Sequence, residues 1–226
     1  MTKIPHILLA TIAIGFAFSP LFAQTSSPTP VDDMDVQSWN DLSISKKLND
    51  KVDAVVQTTF RFTKNIGRFN EGRIGGGFVF KPNKSFAIAP TYLFIRVRNS
   101  SGHFATENRL SLGVTYRFPV KKIGLSHRSQ AEYRIRSSRN SWRYRPSVTV
   151  EVTLPETFAK GTKLYLTEEP FYDSIAERFS RNRLTFGVNK TLTDHLSVDL
   201  YYMRQDDRNS PTRVTHVIGT GWKLKF

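Results

Sequence analysis

The chain has 226 residues, no cysteine and a formal net charge of +14, from 33 lysines and arginines against 19 aspartates and glutamates. Without cysteine, neither a disulfide framework nor a thiolate metal site can form. A basic balance is typical of proteins that bind nucleic acid or anionic membranes, and the start of the chain decides between these two.

The first 23 residues are typical of a secretory signal peptide. Lys3 and His6 form a short basic start, residues 7–18 form an apolar run, and Ala23 is a small residue suited to cleavage. The apolar run is shorter than the about 20 residues of a spanning helix. We therefore predict cleavage after Ala23, a flexible periplasmic leader at residues 24–35, a single domain at residues 36–226, and no nucleic-acid partner.

After the leader, apolar and polar residues alternate with a period of two. Between Trp142 and Leu154 every even-numbered residue is apolar, and arginine, serine, threonine or glutamate stands between them. Successive side chains of a strand point to opposite faces, so this alternation predicts strands. Eleven are predicted, at residues 36–47, 51–63, 71–81, 84–97, 104–118, 123–137, 142–154, 161–171, 178–189, 193–205 and 212–226.

A soluble periplasmic β-sandwich would alternate in the same way and stays an alternative. Two features favour a membrane barrel: the strands exceed the about 9–11 residues that span a bilayer, and aromatic residues lie near strand ends, as interfacial girdles require. These aromatic residues are Phe104, Tyr116, Phe118, Trp142, Tyr144, Tyr202 and Trp222.

The end of the chain resembles the β-signal that the barrel assembly machinery reads in outer-membrane proteins. Gly221 is followed by Trp222, Leu224 and a terminal Phe226, the last three sharing one face. We predict an all-β fold: a transmembrane antiparallel up-and-down β-barrel of 10 to 12 strands in a Gram-negative outer membrane. Bacterial single-chain barrels have even strand numbers and periplasmic termini, so a count of eleven implies one false or missed strand, most simply near the N-terminus.

The hairpin from Ser126 to Arg145 carries an arginine-rich and aromatic pattern, echoed in Asn108-Arg109-Leu110 and Tyr116-Arg117-Phe118. It resembles an uncharacterised bacterial outer-membrane family catalogued as domain of unknown function 2490. The resemblance implies an outer-membrane barrel over the whole mature chain. It implies no activity and no site residues.

The polar face predicts a charge network in the barrel lumen. Its members are Arg109, Arg117, Arg128, Glu132, Arg134, Arg136, Arg143, Arg145, Glu151, Arg181 and Arg183, with Arg61, Arg73, Arg213, Asp53, Glu107 and Asp199 as further inward candidates. Two interpretations stay open. The charges pair and fill the lumen, or the surplus arginines line a narrow anion-favouring pore.

The expected partners follow from this location. They are outer-membrane lipid and lipopolysaccharide, the barrel assembly machinery and periplasmic chaperones in transit, and an anionic solute. Basic residues near the loops, among them Lys64, Arg68, Arg139 and Arg208, could contact lipopolysaccharide phosphates.

Nothing in the chain predicts an enzyme, a catalytic residue, a metal site or a cofactor. His127 and His216 fall on the lipid-facing register, and Glu168 and Glu169 must point to opposite faces. Ser129 shares a face with His127, so an outer-membrane lipid-acting enzyme is the alternative that we keep.

Overall fold

The computed structural model describes residues 34–226, so the predicted signal peptide and nearly all of the predicted leader lie outside the described residues. All eleven predicted strands form, and the first begins at Met34, two residues before its predicted start. The strands are β1 (Met34–Asn49), β2 (Val52–Thr63), β3 (Arg68–Phe80), β4 (Phe86–Arg98), β5 (Phe104–Phe118), β6 (Gly124–Arg136), β7 (Ser141–Thr153), β8 (Thr162–Asp173), β9 (Arg178–Thr191), β10 (Leu196–Asp207) and β11 (Val214–Lys225). A short helix, α1 (Glu156–Ala159), joins β7 to β8.

The connections alternate between two ends of the molecule. At the turn end they comprise residues 50–51, 81–85, 119–123, 154–161 and 192–195, and Phe226 lies at this end. At the loop end they comprise residues 64–67, 99–103, 137–140, 174–177 and 208–213, and Met34 lies there beside Val214.

The eleven strands form one closed barrel, which excludes the β-sandwich alternative. Chain neighbours pair antiparallel, and β1 pairs with β11 in parallel from Met34 opposite Val214 to Ser45 opposite Lys225. The expectation of an even count is therefore wrong, and none of the eleven strands is false. In an up-and-down sheet with an odd number of strands, the first and last run in the same direction, so only a parallel seam can close it. Odd-stranded barrels are known in mitochondria.

The seam is held by backbone and side-chain hydrogen bonds. The Phe226 amide donates to the Ser45 carbonyl at 2.9 Å, and the Lys47 amide donates to the Phe226 carbonyl at 2.7 Å. The Thr220 hydroxyl donates to Asn40 Oδ1 at 2.8 Å. The end of the chain thus belongs to the barrel wall.

The outward face is apolar. Val56, Leu200 and Ile218 are each more than half exposed. Aromatic clusters flank this band, with Phe69 against Phe104 near the loop end and Phe86 against Tyr116 near the turn end, at centroid separations of 6.0 and 4.8 Å. The predicted aromatic flanks are therefore present at both ends of the strands.

Glycines allow close approach inside the wall. A Cβ atom at Gly75 or Gly77 would overlap the backbone of β4, and one at Gly219 would overlap the ring of Tyr201. The tyrosine ring occupies the space that a side chain at Gly219 would need.

In the described part of the chain, residues 34–226, no helix has the length and apolar character needed to cross a membrane.

Candidate functional site in the barrel lumen

The inward side chains of residues 34–226 form a belt of arginines and carboxylates in the loop-end half of the lumen. Ten of the twelve predicted arginines lie at salt-bridge distance from a carboxylate: Arg61, Arg73, Arg109, Arg128, Arg134, Arg136, Arg143, Arg145, Arg181 and Arg183. Their partners are six carboxylates: Glu71, Glu107, Glu132, Glu169, Asp173 and Asp207. The belt therefore carries a surplus of four positive charges.

Glu169 on β8 is the most shared carboxylate of the belt. It lies 2.6 Å from Arg128, 2.8 Å from Arg145 and 3.7 Å from Arg183, so it ties β6, β7 and β9 together. Phe171, two residues on, is 1% exposed. The guanidinium carbons of Arg145 and Arg183 each lie 4.6 Å from the centre of its ring. Ion pairs and cation–π contacts thus compensate the burial of these charges.

Glu107 and Glu132 continue the belt on β5 and β6. Arg109 and Arg134 approach Glu107 at 2.5 and 2.7 Å, and Arg145 approaches Glu132 at 2.5 Å. Glu132 is 3% exposed, as is Glu107. These charge-assisted hydrogen bonds compensate the loss of hydration of the buried arginines and carboxylates.

An apolar cluster lies beside β1 on the inner side of the wall. Trp39, Met203 and Val217 are buried together. The Arg61 guanidinium lies 3.4 Å from the centre of the Trp39 ring, and that of Arg183 lies 4.8 Å from it. Because β10 and β11 separate β1 from β9 in the wall, the contact between Trp39 and Arg183 crosses the lumen.

At the turn end the inward carboxylates meet lysines. Asp53 pairs with Lys81 at 2.8 Å, Glu151 with Lys163 at 2.8 Å, and Asp199 with Lys223 at 2.7 Å. Among residues 34–226, these three inward carboxylates therefore pair with lysines and not with the predicted arginines.

Two predicted arginines stand apart from the belt. Among residues 34–226, neither Arg117 nor Arg213 has a carboxylate at salt-bridge distance. Arg117 lies on β5 at the turn end, and Arg213 lies in the connection before β11.

Four carboxylates of the belt were missed by sequence reasoning: Glu71, Glu169, Asp173 and Asp207. Alternation contains the signal for all four. Glu71 shares the inward parity of Arg73, Glu169 and Asp173 share that of Phe171, and Asp207 shares that of Asp199. Apart from Arg73, which lies on the same strand as Glu71, their arginine partners lie on other strands, so strand parity alone could not assign the pairs.

A vestibule of about 510 Å³ lies at the loop end above this belt. Arg134, Arg136, Arg143 and Arg181 line it together with two aspartates, Asp173 and Asp207. Phe171 lies at its base, and the connections 174–177 and 208–213 contribute to its rim.

The outward wall carries a polar chain in addition to its apolar residues. His127 Nε2 lies 3.0 Å from Ser129 Oγ, which lies 3.0 Å from the Tyr144 hydroxyl. His216 Nδ1 lies 2.6 Å from the Tyr202 hydroxyl. The predicted outward registers of His127 and His216 are therefore confirmed.

The residues of the predicted assembly signal lie on β11 and just after it. Trp222 and Phe226 are outward and well exposed, whereas Gly221 is buried on the inward face. The Phe226 ring stacks on His195 at a centroid separation of 5.8 Å. The predicted shared face of Trp222, Leu224 and Phe226 points out of the barrel.

Comparison with known proteins identifies one family. A family model described as "Protein of unknown function (DUF2490)" matches residues 36–216. No curated protein matches the chain. Among solved structures, the anion-selective porin from Comamonas acidovorans is similar over 75% of this chain and 55% of that chain, with 12% sequence identity and a TM-score of 0.38. The match therefore spans about half of that porin.

Proposed function

The chain belongs to the DUF2490 family, and we propose that it is an outer-membrane β-barrel with a structural role, its lumen closed by the arginine–carboxylate belt. The observation that carries this proposal is the burial of Phe171 and Trp39 between paired arginines. A barrel used as an open channel keeps its axis wet, whereas small barrels fill the axis with side chains.

The outward face supports the location in a membrane. Exposed large apolar residues recur on strand after strand, whereas soluble monomers rarely expose contiguous apolar patches larger than a few hundred Å². All eleven strands have at least 12 residues, more than the about 9–11 that a tilted transmembrane strand needs. The outward face of the strands is therefore suited to contact with the hydrocarbon interior of a bilayer.

Two measurements test the location. A membrane barrel in detergent migrates differently on a gel before and after boiling, and it fractionates with the outer membrane. Equal migration before and after boiling, together with recovery in the soluble periplasmic fraction, contradicts the proposal.

Conductance across a planar bilayer tests the closed lumen. We expect the inserted wild-type barrel to show no steady ohmic current at neutral pH. A steady current that favours anions would instead support the narrow anion pore, since the belt has surplus positive charge. A steady cation-selective current would contradict both interpretations of the arginines.

Replacing Trp39 by alanine sharpens the conductance test. Trp39 joins β1 to Arg61 and Arg183, so its removal leaves a void in the closed cross-section, and we expect current to appear or increase. Trp142→Ala is the matched control, because Trp142 points outward and is 51% exposed. Equal behaviour of the two variants would show that Trp39 does not seal the lumen.

Acyl-ester hydrolysis in the membrane is a second candidate function, favoured by the 3.0 Å contact between His127 and Ser129. His127 is paired across the sheet with Tyr116, whose ring packs on Phe86 and Phe118. This aromatic cluster marks the interfacial depth, at which the ester groups of lipids lie.

The chemistry of this candidate follows the serine–histidine pattern. Ser129 Oγ would attack the acyl carbonyl while His127 Nε2 takes its proton, and the same proton would pass to the departing alcohol. Water would then cleave the acyl-serine and release the fatty acid. The Tyr144 hydroxyl, 3.0 Å from Ser129 Oγ, would donate to the oxyanion in this candidate reaction.

Release of fatty acid from phospholipid vesicles tests it. The candidate requires turnover by the wild type that Ser129→Ala and His127→Ala both abolish. His216→Ala is the control, because His216 is an outward histidine bonded to a tyrosine and no serine. Absence of turnover by the wild type ends this candidate.

A further inference from the structure

We propose that the loop-end vestibule is a binding site for a small phosphorylated solute. The inference concerns the space above the closed belt and goes beyond the structural role proposed for the barrel. Its basis is a cavity of ligand size whose polar lining is mostly arginine.

The size of the vestibule fits a small organic ligand. Its volume of about 510 Å³ falls within the about 300–1,000 Å³ of small-molecule sites. Its base is closed by Phe171, which is 1% exposed. A solute that enters from the loop end is therefore held there instead of passing through.

The charge of the lining favours a dianion. Four arginines face two aspartates, and each aspartate is already engaged. Asp173 Oδ2 lies 3.1 Å from Arg143 and 3.7 Å from Arg134, and its Oδ1 accepts the Ile175 amide at 3.0 Å. Asp207 accepts two hydrogen bonds from Arg181 through Oδ2. Within the lining the positive charges exceed the negative ones by two, and Arg134 also pairs with Glu107 at 2.7 Å.

Arg136 carries the least neutralised of these charges. Its guanidinium bonds the Arg139 carbonyl at 3.2 Å and the Ser141 hydroxyl at 2.9 Å. The nearest carboxylate oxygen, on Glu107, is 3.9 Å away. Its side chain remains 25% exposed, the same as Arg181, whereas Arg134 and Arg143 are more enclosed.

Guanidinium geometry selects the ligand class. Each guanidinium presents five donors in a planar fork that matches phosphate oxygens, and the bonds already made leave donors unused on Arg136 and Arg181. A doubly charged phosphate ester neutralises the surplus in full, and a phosphate alone would leave most of the cavity empty. The shared chemistry is a phosphate monoester, either on a free solute or on the glycolipid of the outer leaflet.

Calorimetric titration of the purified, folded full chain in zwitterionic detergent tests the proposal. The probes are glycerol 3-phosphate, glycerol and purified lipopolysaccharide. We expect saturable binding of glycerol 3-phosphate and none of glycerol. Binding of lipopolysaccharide alone would overturn the free-solute site, and absence of binding by every probe at millimolar concentration would overturn the site altogether.

Three variants separate an anion site from a structural network. Arg136→Gln removes a charged donor and should weaken glycerol 3-phosphate binding at least about tenfold, the worth of one charge-assisted hydrogen bond. Asp173→Asn keeps the shape and removes a negative charge, so it should tighten binding. Arg204→Gln removes an equal charge from the outward face, where Arg204 pairs with Asp206 at 3.0 Å, and should change nothing.

The signs of these effects decide the outcome. A purely structural role for the cluster predicts that Asp173→Asn loosens the lining and weakens binding, the opposite of our expectation. Equal weakening by Arg136→Gln and Arg204→Gln would show that only net charge matters and would also overturn the site. Equal migration before and after heating identifies any variant that has not folded, and Arg136→Gln is the mildest change because that arginine holds no close ion pair.

Discussion

Replacing Glu169 by glutamine tests whether the belt holds the barrel together. Glu169 is 6% exposed and accepts hydrogen bonds from Arg128 at 2.6 Å and from Arg145 at 2.8 and 3.0 Å. The substitution keeps the volume of the side chain, removes its charge and turns one acceptor into a donor that faces guanidinium groups. Three arginines, including Arg183 at 3.7 Å, then lose a shared counter-charge.

The expected cost can be set from buried ion pairs in general. Removing one partner of a buried pair costs about 3–5 kcal/mol, because the remaining charge stays desolvated. Arg128 is 40% exposed and can turn towards water. Only Arg145 and Arg183 then stay buried without this counter-charge, so we expect a cost in the lower half of this range. With an m value of about 3 kcal/mol per molar, the urea midpoint should fall by about 1 M or more.

Unfolding in urea, followed by the loss of heat-modifiable migration, measures this effect in detergent. Glu168→Gln is the matched control. Glu168 is the adjacent residue and points outward. Its carboxylate accepts a long hydrogen bond, of 3.3 Å, from the Asn182 amide. If the two variants unfold at the same urea concentration, the belt does not stabilise the barrel and the reasoning is refuted.

Three further predictions concern the wall and the seam. Gly219→Ala should destabilise the barrel by forcing the Tyr201 ring aside, whereas Gly113→Ala, whose Cβ would find no atom nearer than 3.9 Å, should lie within about 1 kcal/mol of the wild type; equal urea midpoints would contradict the packing. Cysteines introduced together at Asn40 and Thr220, which face each other across the parallel seam, should form a disulfide on mild oxidation, seen as a gel shift under non-reducing conditions, and failure to cross-link would argue against closure between β1 and β11. Phe226→Ala should reduce the amount of assembled barrel in the outer membrane while leaving refolding of the purified chain in detergent intact; unchanged assembly in cells would show that the terminal aromatic residue is not read as a signal.

The strands were predictable because their signal is local. In β7 every even-numbered residue points out and every odd-numbered residue points in, as the alternation from Trp142 onward predicts. The same parity placed His127, His216 and the face shared by Trp222 and Phe226 correctly. Side-chain direction in a strand depends on position alone, so it needs no knowledge of neighbours.

The expectation of an even strand number was wrong because the rule that bacterial barrels have even strand numbers was preferred to the count of eleven from the alternation. Eleven alternating segments are present in the sequence, and the preference of bacterial barrels for even numbers argued that one strand was false or that one had been missed. The parallel seam between β1 and β11 removes the conflict. Whether a sheet closes between parallel strands depends on the register of both edges, which no single segment contains.

The pairing of charges was the least predictable part. Arg128 and Glu169 lie 41 residues apart, and Trp39 meets Arg183 across the lumen. Inward parity predicts that such side chains enter the same space, but their partners follow from the stagger of strands around the closed sheet.

The sequence by itself determined the strands, the face on which each side chain lies and the surplus of arginine on the inner face, since a period of two follows from backbone geometry. Only the tertiary structure decided that six carboxylates bind ten of those arginines, that Trp39 and Phe171 are buried among them, and that four of the ten arginines line a vestibule. The physical reason is that an ion pair depends on the separation of charges in space, and that separation exists only once the barrel has closed.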